Sequence, residues 1–214
     1  MKVRVSRLHY PVTALGPGGR IGIWMQGCTI GCRGCLSRDT WSGDDALPVP
    51  VDQVLAWCAG HDPATLSGVT ITGGEPSEQP AALAALASGL ARLGRPYGWD
   101  LLCYTGIAEA EFARRCPEPY ATMDALITEP YRADQPTDLV WRGSANQRLV
   151  LLTRLGRARY TAYLAARSDR PAVQVAVDGD RFYLVGVPRR GDLARLERML
   201  AARGIQLEGV SWRP

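Results

Sequence analysis

Short apolar runs alternate with alanine-rich or amphipathic segments along the first two thirds of the chain. Four of these runs are β-branched or aliphatic and are bounded by glycine, proline or polar residues, which is typical of buried strands. They lie at residues 21–26, 69–72, 99–104 and 123–128. The intervening segments predict helices over residues 52–59, 79–93 and 108–115. Strands that alternate with helices predict a parallel sheet whose functional residues lie in the loops after the strands.

The pattern changes after about residue 156. A helix is predicted over residues 158–167, and two alternating runs, 172–177 and 181–187, predict a hairpin turning at Asp178-Gly179. A basic amphipathic helix is predicted over residues 193–203. We therefore expect two units: a core over residues 1–156 and a small basic α+β extension over residues 157–214.

Composition places the chain among soluble globular proteins. Its 214 residues are 46% hydrophobic and 21% charged, which excludes wholesale disorder, a fibrous repeat and a coiled coil. No run approaches the roughly 18 apolar residues of a membrane span, and the N-terminal segment lacks the apolar centre of a signal peptide. We therefore expect a cytoplasmic protein with no membrane partner, whose six cysteines are thiols or metal ligands rather than disulfides.

The net charge of +4 is unevenly distributed. Residues 142–214 carry 14 arginines and 6 acids, whereas residues 1–141 carry 11 basic and 15 acidic residues. No aromatic residues are interleaved with the arginines in the manner of a nucleic-acid surface. We interpret them as a solvated surface and do not expect a nucleic-acid partner.

Three cysteines, Cys28, Cys32 and Cys35, lie within eight residues and are the most informative feature of the chain. The glycines among them disfavour a helix by several times ~1 kcal/mol, so a shared helical face in the core is a poor explanation. Three thiols cannot all pair with one another as disulfides. Glycines also let a loop wrap closely around an iron–sulfur cluster, and three ligands on a 4Fe–4S cube leave one iron open.

Two other interpretations of these cysteines remain open from the residues alone. They could be unrelated buried thiols, or they could hold a structural zinc ion with a fourth ligand from elsewhere in the chain. The candidates for that ligand are Cys58, His9 and His61.

The CxxxCxxC spacing resembles that of the radical S-adenosylmethionine superfamily. Downstream, Gly73-Gly74-Glu75-Pro76 follows a predicted strand, where that superfamily has a glycine-rich motif that receives the amino group of the cosubstrate. The resemblance implies one 4Fe–4S cluster on the three cysteines, with S-adenosylmethionine bound at the open iron. The residues that it implies around S-adenosylmethionine are Gly34, Cys35, Leu36, Gly73, Gly74, Glu75, Thr105, Thr128, Arg142 and Asn146.

More narrowly, residues 5–153 are similar to the activating enzymes of anaerobic ribonucleotide reductase and their single-cluster relatives. The remaining motifs that carry this similarity are Gly16-Pro17-Gly18, Arg20, Gly27-Cys28, Thr40-Trp41, Tyr104-Thr105-Gly106, Trp141-Arg142-Gly143-Ser144 and Asn146-Gln147. The chain departs from the family at Thr128, where such enzymes commonly have an aspartate.

The resemblance implies an α/β fold, namely an incomplete parallel (β/α) barrel of five or six strands, with the extension appended. It also implies reductive cleavage of S-adenosylmethionine to a 5′-deoxyadenosyl radical, with an electron from flavodoxin or ferredoxin and a glycyl radical formed on a partner enzyme. The alternatives are a stand-alone enzyme modifying a small molecule or peptide, and a non-catalytic zinc or cluster-binding module. No catalytic side chain is assigned beyond the cluster and cosubstrate, which suits chemistry carried by a cofactor.

Two further expectations concern single features. Cys58, Cys103 and Cys116 are interpreted as inert thiols. Cys103 is expected to point into the barrel and is therefore the one candidate hydrogen-atom donor. The extension is expected either to dock a macromolecular substrate or to cover the open edge of the sheet.

Overall fold

The structure, a computed structural model, describes residues 1–170, 172–179 and 181–211. The helices are α1 (Val51–Ala59), α2 (Pro80–Gly94), α3 (Glu109–Arg115), α4 (Pro117–Thr122), α5 (Arg154–Tyr160) and α6 (Asp192–Ala201). The strands are β1 (Lys2–Val3), β2 (Val5–Val12), β3 (Arg20–Met25), β4 (Val49–Pro50), β5 (Gly68–Gly73), β6 (Asp100–Tyr104), β7 (Ala125–Thr128), β8 (Arg148–Leu151), β9 (Val173–Asp178) and β10 (Arg181–Gly186).

A six-stranded sheet with the order β2-β3-β5-β6-β7-β8 forms the centre of the molecule. Its four inner strands are parallel, which confirms the predicted α/β class. The two outer strands, β2 and β8, run antiparallel to their neighbours, so the sheet is not purely parallel as expected for the barrel. Neither outer strand was predicted: β2 contains three polar or charged side chains and a proline, and β8 is a short strand that begins with an exposed arginine.

The two faces of the sheet are covered by different parts of the chain. Leu101 and Leu102, which are neighbours on β6, belong to separate core groups because successive strand side chains point to opposite faces. Helices α1 and α2 cover the face of Leu101, where Leu83 and Leu86 of α2 are fully buried. On the opposite face, Tyr160 at the end of α5 is fully buried against Leu102 and its neighbours.

Buried Asp100 on β6 pairs with Arg20 of β3 and also binds two residues of α5, so it joins α5 to this second face of the sheet. Asp100 accepts hydrogen bonds from Arg20 Nη2 at 2.6 Å and from the Tyr160 hydroxyl at 2.5 Å, and Arg159 Nη1 reaches it at 2.7 Å. Burial alone would raise the pKa of Asp100, but the charge of Arg20 and these hydrogen bonds hold it below its ordinary value. The ionised carboxylate thus fastens α5 to the core, and residue 157, the expected start of the extension, lies inside this helix.

Helix α5 begins four residues before the predicted start at residue 158 and ends at Tyr160. The Thr153 hydroxyl accepts a hydrogen bond from Gly156 N at 3.0 Å and caps the helix N-terminus. A side chain at Gly156 would lie 1.9 Å from the carbonyl oxygen of Asp124, so glycine permits the helix to approach β7 closely. Close packing against β7 therefore requires glycine at this position.

The predicted hairpin is confirmed, with β9 paired antiparallel to β10 and Asp178 opposite Arg181. Asp180 lies outside the described residues. The hairpin packs over β2: the Gln174 amide donates to Pro11 O at 2.6 Å, and Val185 is buried with Val12 and Trp24. In the described part of the chain, no helix combines the length and apolar character that crossing a bilayer requires.

Candidate functional site

A cavity of about 1840 Å³ lies beyond the C-terminal ends of the parallel strands. Its lining includes the segment after β3, which carries the three clustered cysteines, and the ends of β5 and β6. Parts of the extension, including β10 and residues 205–211, complete the lining. Ligand sites in parallel sheets are built at this end of the strands, so the cavity is the candidate site.

Residues 27–35, the cluster loop, owe their path to glycines and to backbone hydrogen bonds. Gly27, Gly31 and Gly34 have φ values of +105°, +62° and +80°, in the left-handed region that favours glycine. The loop is anchored where Gly27 N donates to Thr40 O at 2.8 Å and Cys28 N donates to Trp41 O at 2.9 Å. The glycines at these positions are therefore required by the backbone of a tightly folded loop.

The thiols of Cys28, Cys32 and Cys35 are partly buried, are not in disulfides and all line the cavity. Burial raises the pKa values of Cys28 and Cys32. Within residues 1–170, 172–179 and 181–211, no three Cys, His, Asp or Glu side chains are gathered tightly enough to hold a single metal ion. A 4Fe–4S cluster, however, takes each thiolate on a different iron, so the thiols need only border a common space. The three cysteines fit that requirement.

The structure places the candidate fourth zinc ligands elsewhere. Cys58 is fully buried in the core group under α1 and α2. His61 stacks against Tyr10 and Trp57 with ring centroids 4.4 Å away in each case. His9 lies on β2, and none of the three candidates is among the residues lining the cavity. A tetrahedral zinc site that closes on these residues is therefore not supported by the fold.

The second loop of the site, Gly73-Gly74-Glu75, lies directly against the cluster loop. Glu75 N donates to Gly27 O at 2.8 Å, and Gly74 N donates to Met25 O at 2.8 Å. A side chain at Gly74 would lie 2.2 Å from Gly27 O, a distance that only glycine permits. The two motifs singled out in the sequence are thus joined by their backbones at one edge of the cavity.

The Glu75 carboxylate is 2% exposed and is held by three donors. Its Oε1 accepts from the Thr105 hydroxyl at 2.7 Å and from Ser77 N at 2.9 Å, and its Oε2 accepts from Gly106 N at 2.7 Å. Glu75 therefore connects the loop after β5 to the loop after β6. The remaining lone pairs of the carboxylate leave capacity for another donor.

Most residues expected around the cosubstrate line this cavity. They are Gly34, Cys35, Leu36, Gly73, Gly74, Glu75 and Thr105. Thr128, Arg142 and Asn146 are not among the lining residues. The Arg142 guanidinium instead donates to the carbonyls of Tyr163 and Leu164, at 2.7 and 2.9 Å. It fixes the connection between β7 and β8 to the chain that follows α5.

Thr128 and Asn146 also lie in that part of the fold. The Asn146 amide donates to Pro130 O at 2.8 Å, and its carbonyl oxygen has no hydrogen-bond partner among the described residues. The Thr128 hydroxyl is buried and likewise has no hydrogen-bond partner in the described part of the chain. The expected aspartate position is thus occupied by a buried hydroxyl at the end of β7.

Sequence reasoning missed Tyr131, whose ring forms part of the cavity wall beside the cluster loop. Methyl groups at Gly34 and Gly143 would lie 3.5 Å and 3.0 Å from atoms of this ring. Trp141 was considered only as part of a motif, yet it also lines the cavity and adopts φ +61°. Nothing in the residue pattern indicates either position, because both depend on how the β7–β8 connection folds over the site.

The suggestion that Cys103 points toward the reaction chamber is wrong. Cys103 is fully buried and belongs to the core group on the helix-covered face, together with Phe112 and Cys116. The opposite face of β6 carries Leu102 and Tyr104, and Tyr104 is the β6 residue that lines the cavity. Burial raises the pKa of Cys103 well above its ordinary value, as expected for an inert core thiol.

The extension reaches the site at two places. Tyr183 of β10 stacks on Arg7, whose guanidinium carbon lies 4.9 Å from the ring centroid, and Arg7 in turn pairs with Asp39 at 2.8 Å. At the far end, the Ser211 hydroxyl donates to Leu36 O, directly after the cluster loop, at 2.8 Å. The extension therefore forms one wall of the cavity.

The fold and the site define an iron–sulfur protein, and comparison with known families agrees. The chain belongs to the 4Fe-4S single cluster domain family, whose model matches residues 14–150. This range contains the cluster loop and the Gly73-Gly74-Glu75 loop.

Three relatives share the name anaerobic ribonucleoside-triphosphate reductase-activating protein, which confirms the resemblance drawn from the motifs. The relative from Pasteurella multocida is 33% identical over 148 residues, covering 65% of this chain and 92% of the relative. The relative from Vibrio cholerae is 30% identical over 147 residues, with 65% and 92% covered. That of Enterobacteria phage T4 is 29% identical over 137 residues, with 63% and 85% covered.

Proposed function

We propose that this protein is a radical S-adenosylmethionine enzyme that activates an anaerobic ribonucleoside-triphosphate reductase by forming a glycyl radical on it. The observation that carries the proposal is the backbone contact between Glu75 N and Gly27 O, at 2.8 Å. It holds a loop with three thiols beside a glycine-rich loop at the edge of one cavity. The names of the relatives supply the class of partner.

Cys28, Cys32 and Cys35 would hold three irons of a 4Fe–4S cluster, and the fourth iron would be open to S-adenosylmethionine. When both groups are bound, they would supply reductive cleavage of S-adenosylmethionine to a 5′-deoxyadenosyl radical, which would take a hydrogen atom from a glycine of the partner. The protein's own residues bind, orient and enclose these groups.

The Gly73-Gly74-Glu75 loop would bind the amino end of S-adenosylmethionine. Its glycines allow a ligand to approach the backbone closely, and the Glu75 carboxylate retains acceptor capacity beyond its three internal hydrogen bonds. Since Glu75 is held by Thr105 and Gly106, its charge is fixed in place before a ligand arrives. Gly34 and Leu36, on the cluster loop side of the cavity, would lie along the adenosine.

The electron would come from an external protein such as flavodoxin or ferredoxin. Arg33 lies between two of the cluster cysteines and is exposed, with no side-chain hydrogen bond or ion pair among the described residues. An arginine at this position favours the approach of an acidic electron carrier to the cluster loop by long-range attraction. The walls formed by Tyr131 and by the extension would shield the interior of the cavity from water and oxygen.

The test uses anaerobically reconstituted protein, dithionite, S-adenosylmethionine and the purified reductase from the same genome. The proposal expects an organic glycyl radical on the reductase by electron paramagnetic resonance, and one 5′-deoxyadenosine for each radical formed. Cys32→Ala should abolish both products, whereas Cys116→Ala, at a buried thiol outside the site, should retain them. Formation of 5′-deoxyadenosine without any reductase radical would reject the activase role and retain S-adenosylmethionine cleavage.

A further inference from the structure

The C-terminal hairpin exposes an apolar surface on its outer strand. Val173, Val175 and Val177 of β9 are 39%, 54% and 74% exposed. These three alternate residues share one side of the strand, since successive side chains point to opposite faces. Exposed β-branched residues in a row on a strand are an association surface rather than a scattered set of surface apolar groups.

The opposite side of the hairpin is fixed to the body of the protein, so the exposed side cannot turn inward. Gln174 accepts a hydrogen bond from Thr13 N at 3.1 Å and donates to Pro11 O at 2.6 Å. On β10, Val185 is 2% exposed and Tyr183 stacks on Arg7. Val173, Val175 and Val177 therefore point away from the core of the protein.

The exposed valines continue into the wall of the cavity. In the hairpin register, Val175 lies opposite Leu184 and Val177 lies opposite Phe182, so these pairs share a face. Leu184 and Phe182 also line the cavity. We call Val173, Val175, Val177, Phe182 and Leu184 the hairpin face. The hairpin face thus includes two residues that also belong to the wall of the candidate site.

Strand β9 also has a free edge. It pairs only with β10 in the described residues, and its backbone makes no hydrogen bond to any other strand there. In a hairpin closed by a two-residue turn, the closing pair Asp178 and Arg181 is hydrogen-bonded, and every second pair points its backbone groups outward. Val173, Val175 and Val177 are the β9 members of the outward pairs. Their N–H and C=O groups therefore point outward along the free edge, while their side chains stand on the hairpin face.

We propose that β9 is a docking strand for the protein substrate: an extended segment of the reductase pairs with the free edge of β9 and rests apolar side chains on the hairpin face. Main-chain hydrogen bonds to an exposed strand edge and alternate side-chain contacts are the general means by which a sheet captures an extended peptide. This inference rests on the proposed function, because it assumes a protein substrate that must reach the cavity.

Phe182 and Leu184 belong both to the hairpin face and to the cavity wall, and for this reason an extended segment of the reductase is the occupant that fits the face. A second copy of the chain on the same surface would cover residues that line the site and hinder access to it. A polypeptide that is modified in the cavity, in contrast, would be held close to the cavity by binding to the hairpin face. The extension also carries exposed arginines, among them Arg190 and Arg195, and surface charges of this kind affect the rate of encounter more than the affinity.

The test measures binding of the purified reductase from the same genome to the reconstituted full-length protein. Val175→Lys/Val177→Lys places two charges on the hairpin face at exposed positions, and Leu47→Lys, at a residue 85% exposed and outside the extension, is the matched control. We expect the double variant to raise the Kd at least tenfold and the control to change it less than twofold. Both variants should bind as much iron as the unmodified protein. Hydrogen exchange should show the amides of Val173, Val175 and Val177 protected in the complex.

Three results would overturn the inference: an unchanged Kd in the double variant, no protection of the β9 amides, or no binding of the reductase by a protein that cleaves S-adenosylmethionine. A concentration-dependent dimer of the unmodified chain that the double variant abolishes would assign the face to a second copy instead. Failure of the proposed function would appear separately, as absence of 5′-deoxyadenosine when the reconstituted, dithionite-reduced unmodified protein is given S-adenosylmethionine without the reductase.

Discussion

The hydroxyl of Thr105 donates a 2.7 Å hydrogen bond to the buried carboxylate of Glu75 and so joins the ends of β5 and β6. Glu75 was predicted from the sequence only as a ligand for an ammonium group. In the structure it is also the residue that holds two site loops together, since Gly106 N donates to its other oxygen at 2.7 Å.

Removal of this carboxylate should therefore cost stability as well as cosubstrate affinity. Glu75→Ala leaves the Thr105 hydroxyl and two backbone N–H groups without their acceptor, and hydrogen bonds to charged groups contribute about 1.5–3 kcal/mol each. Because water that enters the vacated space restores part of this, we expect the free energy of unfolding, measured anaerobically in urea, to fall by at least about 3 kcal/mol. Glu118→Ala, at an exposed helical acid, should change it by less than about 1 kcal/mol. Equal losses in the two variants would contradict the bracing role of Glu75.

The close approach of the two site loops predicts a specific sensitivity at Gly74. A methyl group there would lie 2.2 Å from the Gly27 carbonyl oxygen and would push the cluster loop away from the Gly73-Gly74-Glu75 loop. Gly74→Ala should therefore reduce the iron bound after reconstitution to less than half. Gly43→Ala is the control, because a side chain at Gly43 meets nothing within 4 Å. Full iron content in Gly74→Ala would show that the contact is dispensable.

Two truncations should distinguish the part of the C-terminal third that the core needs from the part that binds the reductase. A chain ending after residue 157 loses Arg159 and Tyr160, which hold Asp100, and exposes the core group that Tyr160 covers. Breaking a buried ion-pair network of this kind costs about 3–5 kcal/mol, so this chain should be insoluble. A chain ending after residue 170 keeps those contacts and should fold, bind iron and lose affinity for the reductase. Solubility and circular dichroism show whether each truncated chain folds, and titration with the reductase shows whether the chain ending after residue 170 has lost its affinity.

The six cysteines should divide by reactivity in the metal-free protein. Burial raises the pKa of Cys58 to about 12 and that of Cys116 to about 11, and only the thiolate reacts with iodoacetamide. At pH 8, about one Cys58 in ten thousand would be ionised. Cys28, Cys32 and Cys35 are partly exposed in the cavity, so mass spectrometry should find them labelled faster than Cys58, Cys103 and Cys116, which should stay unlabelled until the protein unfolds. Rapid labelling of Cys58 in the folded protein would contradict its placement in the core.

The site residues that the sequence predicted are those whose conformation and chemistry depend only on neighbouring residues in the chain. Three thiols among glycines, and a Gly-Gly-Glu turn after a strand, indicate their backbone conformation and their donor atoms without knowledge of distant contacts. The parallel strands β5, β6 and β7 were predictable because each is a short run of buried aliphatic residues.

What the sequence did not indicate depends on contacts between distant segments. Arg142 was expected to contact the cosubstrate, but its guanidinium donates hydrogen bonds to backbone carbonyls of the chain after α5. Tyr131 became a cavity residue only because its connection folds over Gly34. The edge strand β2 has a mixed pattern because one side faces the core and the hairpin of the extension covers part of it.

The central claim is that the loop with Cys28, Cys32 and Cys35 carries a 4Fe–4S cluster that acts on S-adenosylmethionine. The most direct measurement is iron, zinc and 5′-deoxyadenosine in the same anaerobically reconstituted, dithionite-reduced sample. The account predicts about four iron atoms per chain, no stoichiometric zinc, and 5′-deoxyadenosine that disappears in each single Cys→Ala variant of the loop. One zinc per chain with no iron, or a full cluster that leaves S-adenosylmethionine intact, would contradict it.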